Sequence, residues 1–327
     1  MNISIEGFGT YLSKKGQRIV ISQKNIKKEF AIYKIDALLI ECRGISISSD
    51  LIKELQKEKI NILFCDRDKP IAFINYLEKN PLLTKELLLM SESKKILIIR
   101  ELITKKINGQ MEVLKSLKKT ELIKNLDEEE KKFQKIKENL LTLNENFETQ
   151  KSTIFSLEAE FAQNYWRKLS EAIPPEYNFI TREKRQARDA LNCSLNYGYA
   201  ILTANTLNCC IKAGLDPTIG ILHSIQEGRK SLVFDIMEPF RPIIDRTIIT
   251  LFTKKIFDLE QDFNYNEFLL SKSGKEKVAT QVLNTLKKDC IINNKNMLTE
   301  KAILYTCYTL RDFITNKKNY FYVVLPK

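Results

Sequence analysis

The stretch LEKNPLL, residues 77–83, marks the point at which the hydrophobic pattern of the chain changes. Short apolar and β-branched runs precede it, and apolar residues repeat at helical spacing after it. Within the stretch, the Asn80-Pro81 pair breaks any regular element because the residue before proline disfavours helical backbone. The pattern predicts an α+β fold, with a small β-rich domain over residues 1–80 and a larger, mainly α-helical domain over residues 81–327.

The front part of the chain contains short runs that are typical of strands. These runs are RIVIS (18–22) after the turn-like KKGQ, then ALLIECRGISI (37–47), NILFC (61–65) and IAFINY (71–76). The segment DRDK separates the last two and predicts a turn. Between the second and third runs, SSDLIKELQKEK (48–59) begins with a Ser or Asp cap and predicts one helix.

The back part of the chain carries amphipathic helical patterns. Ile96, Ile99, Leu102 or Ile103, and Ile107 repeat on one face, and residues 126–147 form a charged amphipathic segment whose acidic start suits a helix N-terminus. The Asn108-Gly109 pair is a possible helix end, although the apolar pattern resumes at once. The sequence leaves that point open.

Composition limits the class of partner. The 327 residues carry 53 Lys and Arg against 41 Asp and Glu, a formal charge of +12, which favours a polyanion such as nucleic acid, with an anionic membrane surface as the alternative. No apolar run approaches the roughly 20 residues of a membrane span, and the first residues lack the apolar core of a signal peptide. We therefore expect a soluble, cytoplasmic protein.

The seven cysteines lack CxxC spacing, and most of them are expected to be reduced core residues.

The only histidine, His223, stands shortly before two acids, Asp235 and Glu238. One interpretation is structural, because D-x-x-E fits a capping box in which Asp235 starts a helix and Glu238 reaches back to it. The other interpretation is a metal site formed by an imidazole and carboxylates. This segment alone favours the capping box.

Two further segments favour the metal site. In residues 151–168, Leu157, Phe161 and Tyr165 form a core-facing stripe, and Glu158 lies at its edge, where an acid can point into a cleft. Residues 187–223 look like a largely apolar helix, yet Asp189, Asn192 and Asn196 form a polar line that a core helix does not need.

Four motifs in a fixed order carry a resemblance. Glu158 with Tyr165, then RDALNCSLNYGYAIL (188–202), GLDPTIGILH (214–223) and SLVFDIMEPFRPIIDR (231–246), together resemble the universal integrase subunit of CRISPR adaptation, the first of the numbered CRISPR-associated proteins. The front of the chain, with GTYLSKKGQRIVI (9–21), resembles the β domain of that family, and the remainder its helical catalytic domain.

The resemblance implies a divalent metal held by Glu158, His223 and Glu238, with Asp235 beside them as a fourth catalytic residue that is a ligand, a helix cap or both. Oxygen ligands with one imidazole suit Mn²⁺ or Mg²⁺, whereas a structural zinc site is usually closed by cysteines.

Cationic residues flank these acids and are predicted to contact DNA phosphates. They are Lys184, Arg185, Arg188, Arg229, Lys230, Arg241 and Arg246. For the first three the alternative is a solvated face, and for Arg241 it is a buried partner of Asp235 or Asp245.

The predicted function is a metal-dependent DNA endonuclease and integrase that inserts spacers into a CRISPR array by attack of a 3′-hydroxyl on a phosphodiester. The resemblance implies double-stranded and branched DNA as substrate, a homodimer and a small ferredoxin-like second CRISPR-associated protein as partner. We expect the β domain to carry the dimer contact, because its strand edges must be covered. Two alternatives remain: a repair-type nuclease that hydrolyses branched DNA, and a DNA-binding scaffold without activity.

Overall fold

The computed structural model of the protein describes residues 2–24, 26–58, 60–66, 69–74, 80–142, 146–292 and 295–325. The chain divides into two compact units, Met1–Lys79 and Asn80–Lys327. Strands dominate the first unit and helices dominate the second, so the predicted α+β fold class is confirmed.

The first unit contains two four-stranded sheets and one α-helix. Its elements are β1 (Asn2–Ile5), β2 (Tyr11–Lys15), β3 (Arg18–Gln23), β4 (Ile26–Ala31), β5 (Ala37–Ile40), β6 (Ser46–Ile47), α1 (Ser49–Lys57), β7 (Asn61–Asp66) and β8 (Lys69–Ile74). One sheet has the order β1-β5-β7-β8 and the other β4-β3-β2-β6. Strands β1, β5 and β7 are parallel, and the remaining pairs are antiparallel except β2 with β6.

Local sequence accounts for most of these elements. Gly16 adopts a left-handed backbone (φ +59°) in the turn between β2 and β3, as the KKGQ motif predicts. Ser48 caps α1 by accepting a hydrogen bond from the Leu51 N–H at 3.3 Å, and Leu51 and Leu55 face the core. The predicted run at 37–47 is two strands, because Gly44 (φ +72°) turns the chain between them. The predicted turn at 66–69 includes residues 67 and 68, which lie outside the described residues.

The second unit is built around long helices. Its elements are α2 (Pro81–Leu88), α3 (Glu92–Lys119), α4 (Asp127–Thr142), α5 (Phe147–Ser170), α6 (Ala190–Lys212), α7 (Ser231–Met237), α8 (Arg241–Thr253), α9 (Leu259–Asp262), β9 (Phe263–Asn264), β10 (Leu269–Leu270), α10 (Lys272–Leu286), β11 (Asp289–Ile292), β12 (Lys295–Leu298) and α11 (Thr299–Ile314). The two short antiparallel hairpins were not predicted, because strands of two to four residues leave little periodicity to read.

Helix α3 runs without interruption through the Asn108-Gly109 pair, so that pair does not end a helix. Gly109 has a packing reason to lack a side chain: a Cβ there would lie 2.9 Å from Cγ of Pro242, in the first turn of α8. The predicted apolar face of α3 is buried, including Ile99 and Ile107. Helix α3 thus lies close against α8 and against the turn that precedes it.

Helix α6 is shorter than the segment 187–223 that the sequence suggested. It begins after Asp189, whose carboxylate accepts the Asn192 N–H at 2.8 Å, and it ends before Gly214, which has a φ of +76°. The rest of the predicted segment is a loop that leads to His223.

The described residues contain no helix that is both long and apolar enough for a membrane span. All seven cysteines are free thiols, and Cys209 and Cys210 are buried.

Candidate functional site

Two glutamates from different helices share one cation. Glu158 lies on α5, and Glu238 begins a 3₁₀ turn, Glu238–Phe240, between α7 and α8. The Lys106 ammonium on α3 lies 2.5 Å from Glu158 Oε1 and 2.6 Å from Glu238 Oε2. All three side chains are at most 19% exposed, so this ionic cluster is largely removed from water.

A second cation holds the other oxygen of Glu238. The Arg241 Nε donates to Glu238 Oε1 at 2.9 Å, and the Arg241 guanidinium lies over the Tyr199 ring, 4.7 Å from its centroid. Burial works against the charged carboxylate, but Arg241 and Lys106, with a smaller contribution from His223, hold the pKa of Glu238 at about 2. Of the alternatives for Arg241, pairing with Asp235 or Asp245 is therefore wrong, because its ion-pair partner is Glu238.

The loop that carries His223 is folded around the Asp235 carboxylate. Asp235 Oδ2 accepts the N–H groups of Ile221 at 2.5 Å and Leu222 at 3.0 Å. Its Oδ1 accepts the His223 N–H at 2.9 Å and contacts the His223 Nδ1 at 2.6 Å. Gly220 begins this loop, where a Cβ would lie 2.6 Å from the Ser231 Cβ.

The Asp235 carboxylate has a clear consequence for the imidazole. An ionised carboxylate only accepts hydrogen bonds, so the His223 Nδ1 is the donor and Nε2 keeps its lone pair in the neutral ring. A carboxylate on one nitrogen of a metal-binding histidine fixes the ring and its tautomer in the same way.

The capping box predicted for Asp235 and Glu238 is wrong. Helix α7 already begins at Ser231, and Asp235 lies in its last turn. The Asp235 side chain bonds backwards to residues 221–223 instead of capping the start of a helix. The D-x-x-E spacing matched the motif, but a helix start is fixed by the backbone N–H groups that need partners, and here they lie four residues earlier.

A third acid, Asp245 on α8, forms a separate buried cluster with two phenols. The Tyr165 hydroxyl donates to Asp245 Oδ2 at 3.0 Å, and the Tyr199 hydroxyl donates to Oδ1. Burial raises the pKa of Asp245 to about 6, although the two hydrogen bonds act in the opposite direction. Tyr165 is therefore part of the buried core, as its stripe predicts, and also a hydrogen-bond donor.

The polar line on α6 is explained by an arginine that the sequence gave no reason to single out. Arg182 donates to Asn192 Oδ1 at 2.9 Å and to Asn196 Oδ1 at 2.6 Å. Its guanidinium also lies 5.4 Å from the centroid of the Tyr199 ring. Asp189 thus caps α6, and Asn192 and Asn196 on the helix hold the Arg182 cation.

The predicted DNA-binding residues fall into three groups. Lys184, Arg185 and Arg188 are exposed on the segment before α6, and partial desolvation and the charges on Lys106 and Arg241 lower the pKa of Lys184. Arg229 and Lys230 are half-buried before α7, where the Arg229 guanidinium lies over the Phe234 ring and that ring packs against His223 in a T-shaped arrangement. Arg246 is exposed on α8.

The residues that could hold a metal are Glu158, Glu238 and His223. Their two carboxylates and one available imidazole nitrogen form a donor set that suits Mn²⁺ or Mg²⁺. Over the described part of the chain, no three His, Cys, Asp or Glu side chains converge as a ligand group, and the Lys106 ammonium lies between the two glutamates. Among the same residues, the buried Glu238 Oε2 has no donor other than the Lys106 ammonium, which lies 2.6 Å away. These donors fit a divalent cation in chemical type, and the place between the two glutamates is taken by the Lys106 ammonium.

Sequence reasoning did not single out Lys106, although one signal was present. Lys106 follows Leu102 by four residues and Ile103 by three, so it lies on the apolar face of α3. A lysine on the buried face of a helix needs a paired acid, and that requirement predicts a carboxylate opposite it.

Fold and site together define an α+β protein whose helical unit holds a largely buried ionic cluster of two glutamates, a lysine and an arginine, and a histidine that is bound to Asp235. The chain belongs to the family of the CRISPR associated protein Cas1, whose sequence profile matches residues 3–284. The resemblance found in the sequence is thereby confirmed.

Individual relatives agree with this family. The chain is 31% identical to the CRISPR-associated protein Cas1 3 of Methanobrevibacter ruminantium, over 83% of this chain and 84% of that protein. It is 27% identical to the CRISPR-associated endonuclease Cas1 1 of Francisella tularensis subsp. novicida, over 98% of this chain and 97% of that protein.

Two solved structures share the fold. A casposase bound to its integration product has a TM-score of 0.83 at 23% identity, covering 98% of this chain and 92% of the casposase. A Cas6-RT-Cas1–Cas2 complex has a TM-score of 0.76 at 16% identity, covering 99% of this chain and 36% of that chain.

Proposed function

We propose that the protein is a metal-dependent DNA endonuclease and integrase that joins a 3′-hydroxyl of incoming DNA to a CRISPR array. Family membership supports this function, as does the relative that is named an endonuclease. The casposase that shares the fold is bound to an integration product, which is the product class of the same reaction. Within this proposal the substrate is double-stranded and branched DNA.

The observation that carries the proposal is the shared cation between Glu158 and Glu238. Two largely buried carboxylates within 2.6 Å of one ammonium form a place that requires positive charge. Mn²⁺ or Mg²⁺ would be held there by Glu158, Glu238 and the His223 Nε2, and it would polarise the phosphodiester and stabilise charge on the leaving oxygen.

His223 acts in this proposal as a ligand and not as a general base. Its Nδ1 is committed to Asp235, so only Nε2 can face a metal. Asp235 is a positioning residue, since its carboxylate accepts four N–H groups and has no oxygen left to bind a cation. The attacking group is the 3′-hydroxyl of DNA, so no protein nucleophile is required.

The basic residues divide by exposure into two roles. Exposed or half-buried cations around the cluster are proposed to bind DNA phosphates, and they are Lys184, Arg185, Arg188, Arg229, Lys230 and Arg246. Arg241 differs, because its guanidinium is fixed between Glu238 and the Tyr199 ring. Its proposed role is to keep Glu238 ionised, with phosphate contact only through the part of its side chain that reaches solvent.

The proposed assembly includes a homodimer and a second protein. The first unit has exposed aromatic side chains on or beside its strands, Phe8, Tyr11 and Tyr33, which support a protein contact there. A Cas1–Cas2 complex shares the fold of this chain, which supports a small ferredoxin-like CRISPR-associated partner.

The test is strand transfer of a 3′-hydroxyl oligonucleotide into a repeat-bearing plasmid, with Mn²⁺ and the second CRISPR-associated protein supplied. Glu238→Gln removes one ligand charge, and we expect joining to fall by about a thousandfold or more while DNA affinity changes little. Glu112→Gln is the matched control, because this glutamate on α3 is 70% exposed and pairs only with a surface lysine among the described residues.

Three outcomes would contradict the proposal. Joining by Glu238→Gln at the rate of the unaltered protein would remove Glu238 from the site. Released fragments without joined strands would indicate the hydrolytic repair-type nuclease. Identical behaviour in Mn²⁺ and in EDTA would indicate a scaffold without metal-dependent activity.

A further inference from the structure

Glu238 has no oxygen that is free of a cation. Its Oε1 accepts the Arg241 Nε at 2.9 Å, and its Oε2 lies 2.6 Å from the Lys106 ammonium. Each carboxylate oxygen can accept a second partner, but a divalent metal bound here would be a third cation on one carboxylate, and the repulsion favours displacement of one of the two side chains. In a buried site, a metal ion and a side-chain cation that contact the same carboxylate repel each other strongly.

Arg241 is the cation that is fixed. It lies three residues after Glu238 at the start of α8, so its Nε contact is made within one helical turn. Its guanidinium is also held against the Tyr199 ring, and that ring is anchored by its own hydroxyl on Asp245. Moving Arg241 would break both of these contacts at once.

Lys106 is the cation that can leave. Among the described residues its charged neighbours in contact are the two glutamates, at 2.5 and 2.6 Å. Its ammonium is at the end of a flexible four-carbon stem, whereas the guanidinium of Arg241 is planar and stacked. About one eighth of the Lys106 side chain, 12%, is exposed, which leaves a path to solvent.

We propose that Lys106 is an internal counter-ion that occupies the metal position of the Glu158–Glu238 pair and is displaced when the divalent metal binds. This inference rests on the proposed function, since it assumes that those glutamates bind a metal. It goes beyond that function because it assigns Lys106 a specific role. The side chain stabilises the metal-free protein and lowers the metal affinity by competing for the same position.

The role has two consequences of opposite sign. Without metal, loss of the ammonium leaves two carboxylates facing each other in a buried site, which destabilises the fold. With metal, loss of the ammonium removes a competitor, so the metal binds more tightly. A lysine that only supports the fold would lower stability in both states and would not increase metal affinity.

The experiment uses the full chain freed of metal with EDTA and dialysed. Mn²⁺ binding is measured by isothermal titration calorimetry for the unaltered protein, Lys106→Met and Lys106→Arg. We expect Lys106→Met to bind Mn²⁺ about tenfold more tightly or better, because one competing unit charge is gone. Lys106→Arg keeps the charge and should bind no more tightly than the unaltered protein.

Thermal melting gives a readout that does not depend on activity. In EDTA, Lys106→Met should melt below the unaltered protein, and saturating Mn²⁺ should raise its melting temperature by more than that of the unaltered protein. Lys115→Met is the matched control, because Lys115 lies on the same helix and pairs with the exposed Glu112 at 3.3 Å. It should change neither the metal affinity nor the response to Mn²⁺.

The outcomes separate the inference from the function on which it rests. Equal or weaker Mn²⁺ binding by Lys106→Met, with normal binding by the unaltered protein, would overturn the role of Lys106 alone. Absence of Mn²⁺ binding in all the proteins would overturn the proposed metal site itself. If Lys106→Met does not fold, Lys106→Gln keeps a polar side chain without the charge, and the same rise in affinity is expected of it.

Discussion

Glu238 and Asp245 are two buried acids of one short segment with opposite charge behaviour. Glu238 is 5% exposed and Asp245 is 1% exposed. Yet the pKa of Glu238 is held at about 2, whereas that of Asp245 is raised to about 6. Burial alone would raise the pKa of both groups, so the difference arises from their partners.

The partners differ in charge and not in number. Glu238 faces the cations of Lys106 and Arg241, and Asp245 accepts hydrogen bonds from the neutral hydroxyls of Tyr165 and Tyr199. A cation can offset the whole free-energy cost of removing a carboxylate from water, whereas a phenol hydroxyl offsets only part of that cost. Helix α8 thus starts beside an acid that stays ionised and carries one that is ready to take a proton near neutral pH.

Removing a cation from Glu238 should abolish much of its difference from Asp245, and we expect the largest effect on stability from this change. Arg241→Met leaves a buried carboxylate with one cation fewer, and we expect the free energy of unfolding in EDTA to fall by about 3 kcal/mol. Arg241→Lys keeps the charge and should lose less than half of that. Urea unfolding is the measurement, and a change below about 0.5 kcal/mol for Arg241→Met would contradict the account of Glu238.

The raised pKa of Asp245 should make the stability of the protein depend on pH. An unfolded chain releases this proton near the ordinary pKa of 3.8, and the folded protein holds it until about 6. The folded state therefore binds more protons between these values, and the contribution of Asp245 to stability is lost as pH rises through them. Asp245→Asn removes that dependence.

We expect the unfolding free energy of the unaltered protein, relative to Asp245→Asn, to fall by roughly 2 to 3 kcal/mol between about pH 4 and pH 7. Urea unfolding at several pH values measures this difference. A difference that stays constant over the range would show that Asp245 titrates at an ordinary pKa.

A smaller change tests the phenols themselves. Tyr199→Phe removes one hydrogen bond to Asp245 but keeps the ring beneath Arg241, so we expect a loss of about 1 kcal/mol. It should also move the pH window of Asp245 upward, because one group that favours the charged form is gone. Tyr177→Phe is the control, since its hydroxyl donates to the Phe257 carbonyl at 2.8 Å and its loss should leave that window in place.

Charges that remain in water give the smallest effect. Arg188 is exposed, so Arg188→Ala should not change unfolding, but it should lower the slope of log DNA affinity against log salt by about one. Arg43→Ala, an exposed arginine of the first unit, should leave the slope unchanged. A salt titration of DNA binding measures both variants, and equal slopes for Arg188→Ala and the unaltered protein would exclude a phosphate contact.

Periodicity predicted the fold class because strand and helix patterns are local. Ser48, Gly16 and the face of α3 from Ile96 to Ile107 behave as their sequence contexts indicate. The same local reasoning failed for the capping box at Asp235, since the spacing of two acids does not say which backbone N–H groups they meet. The carboxylate of Asp235 instead meets those of a loop that lies 12 to 14 residues earlier.

The candidate site was only partly accessible to sequence reasoning. The motifs and their order identified Glu158, His223 and Glu238, whose assignment as ligands stays a prediction. Lys106 is 52 residues from Glu158, and Arg182 is on an irregular segment, so nothing local tied either to the acids. The polar line on α6 stood out as something that a core helix does not need, but the arginine that it holds is defined only by tertiary contacts.

The contact between Gly109 and Pro242 bears on how finely the site is tuned. Lys106 is one helical turn before Gly109, and Pro242 follows the first residue of the helix that carries Arg241 at its start. A single methyl group at position 109 would push the backbones of α3 and α8 apart. Lys106 would then have to span a longer distance, although no charged atom had been altered. Because Gly109 carries only a hydrogen atom where other residues carry a side chain, the two helices can approach closely. The distance between Lys106 and its acids is thus controlled by packing, separately from the charges themselves.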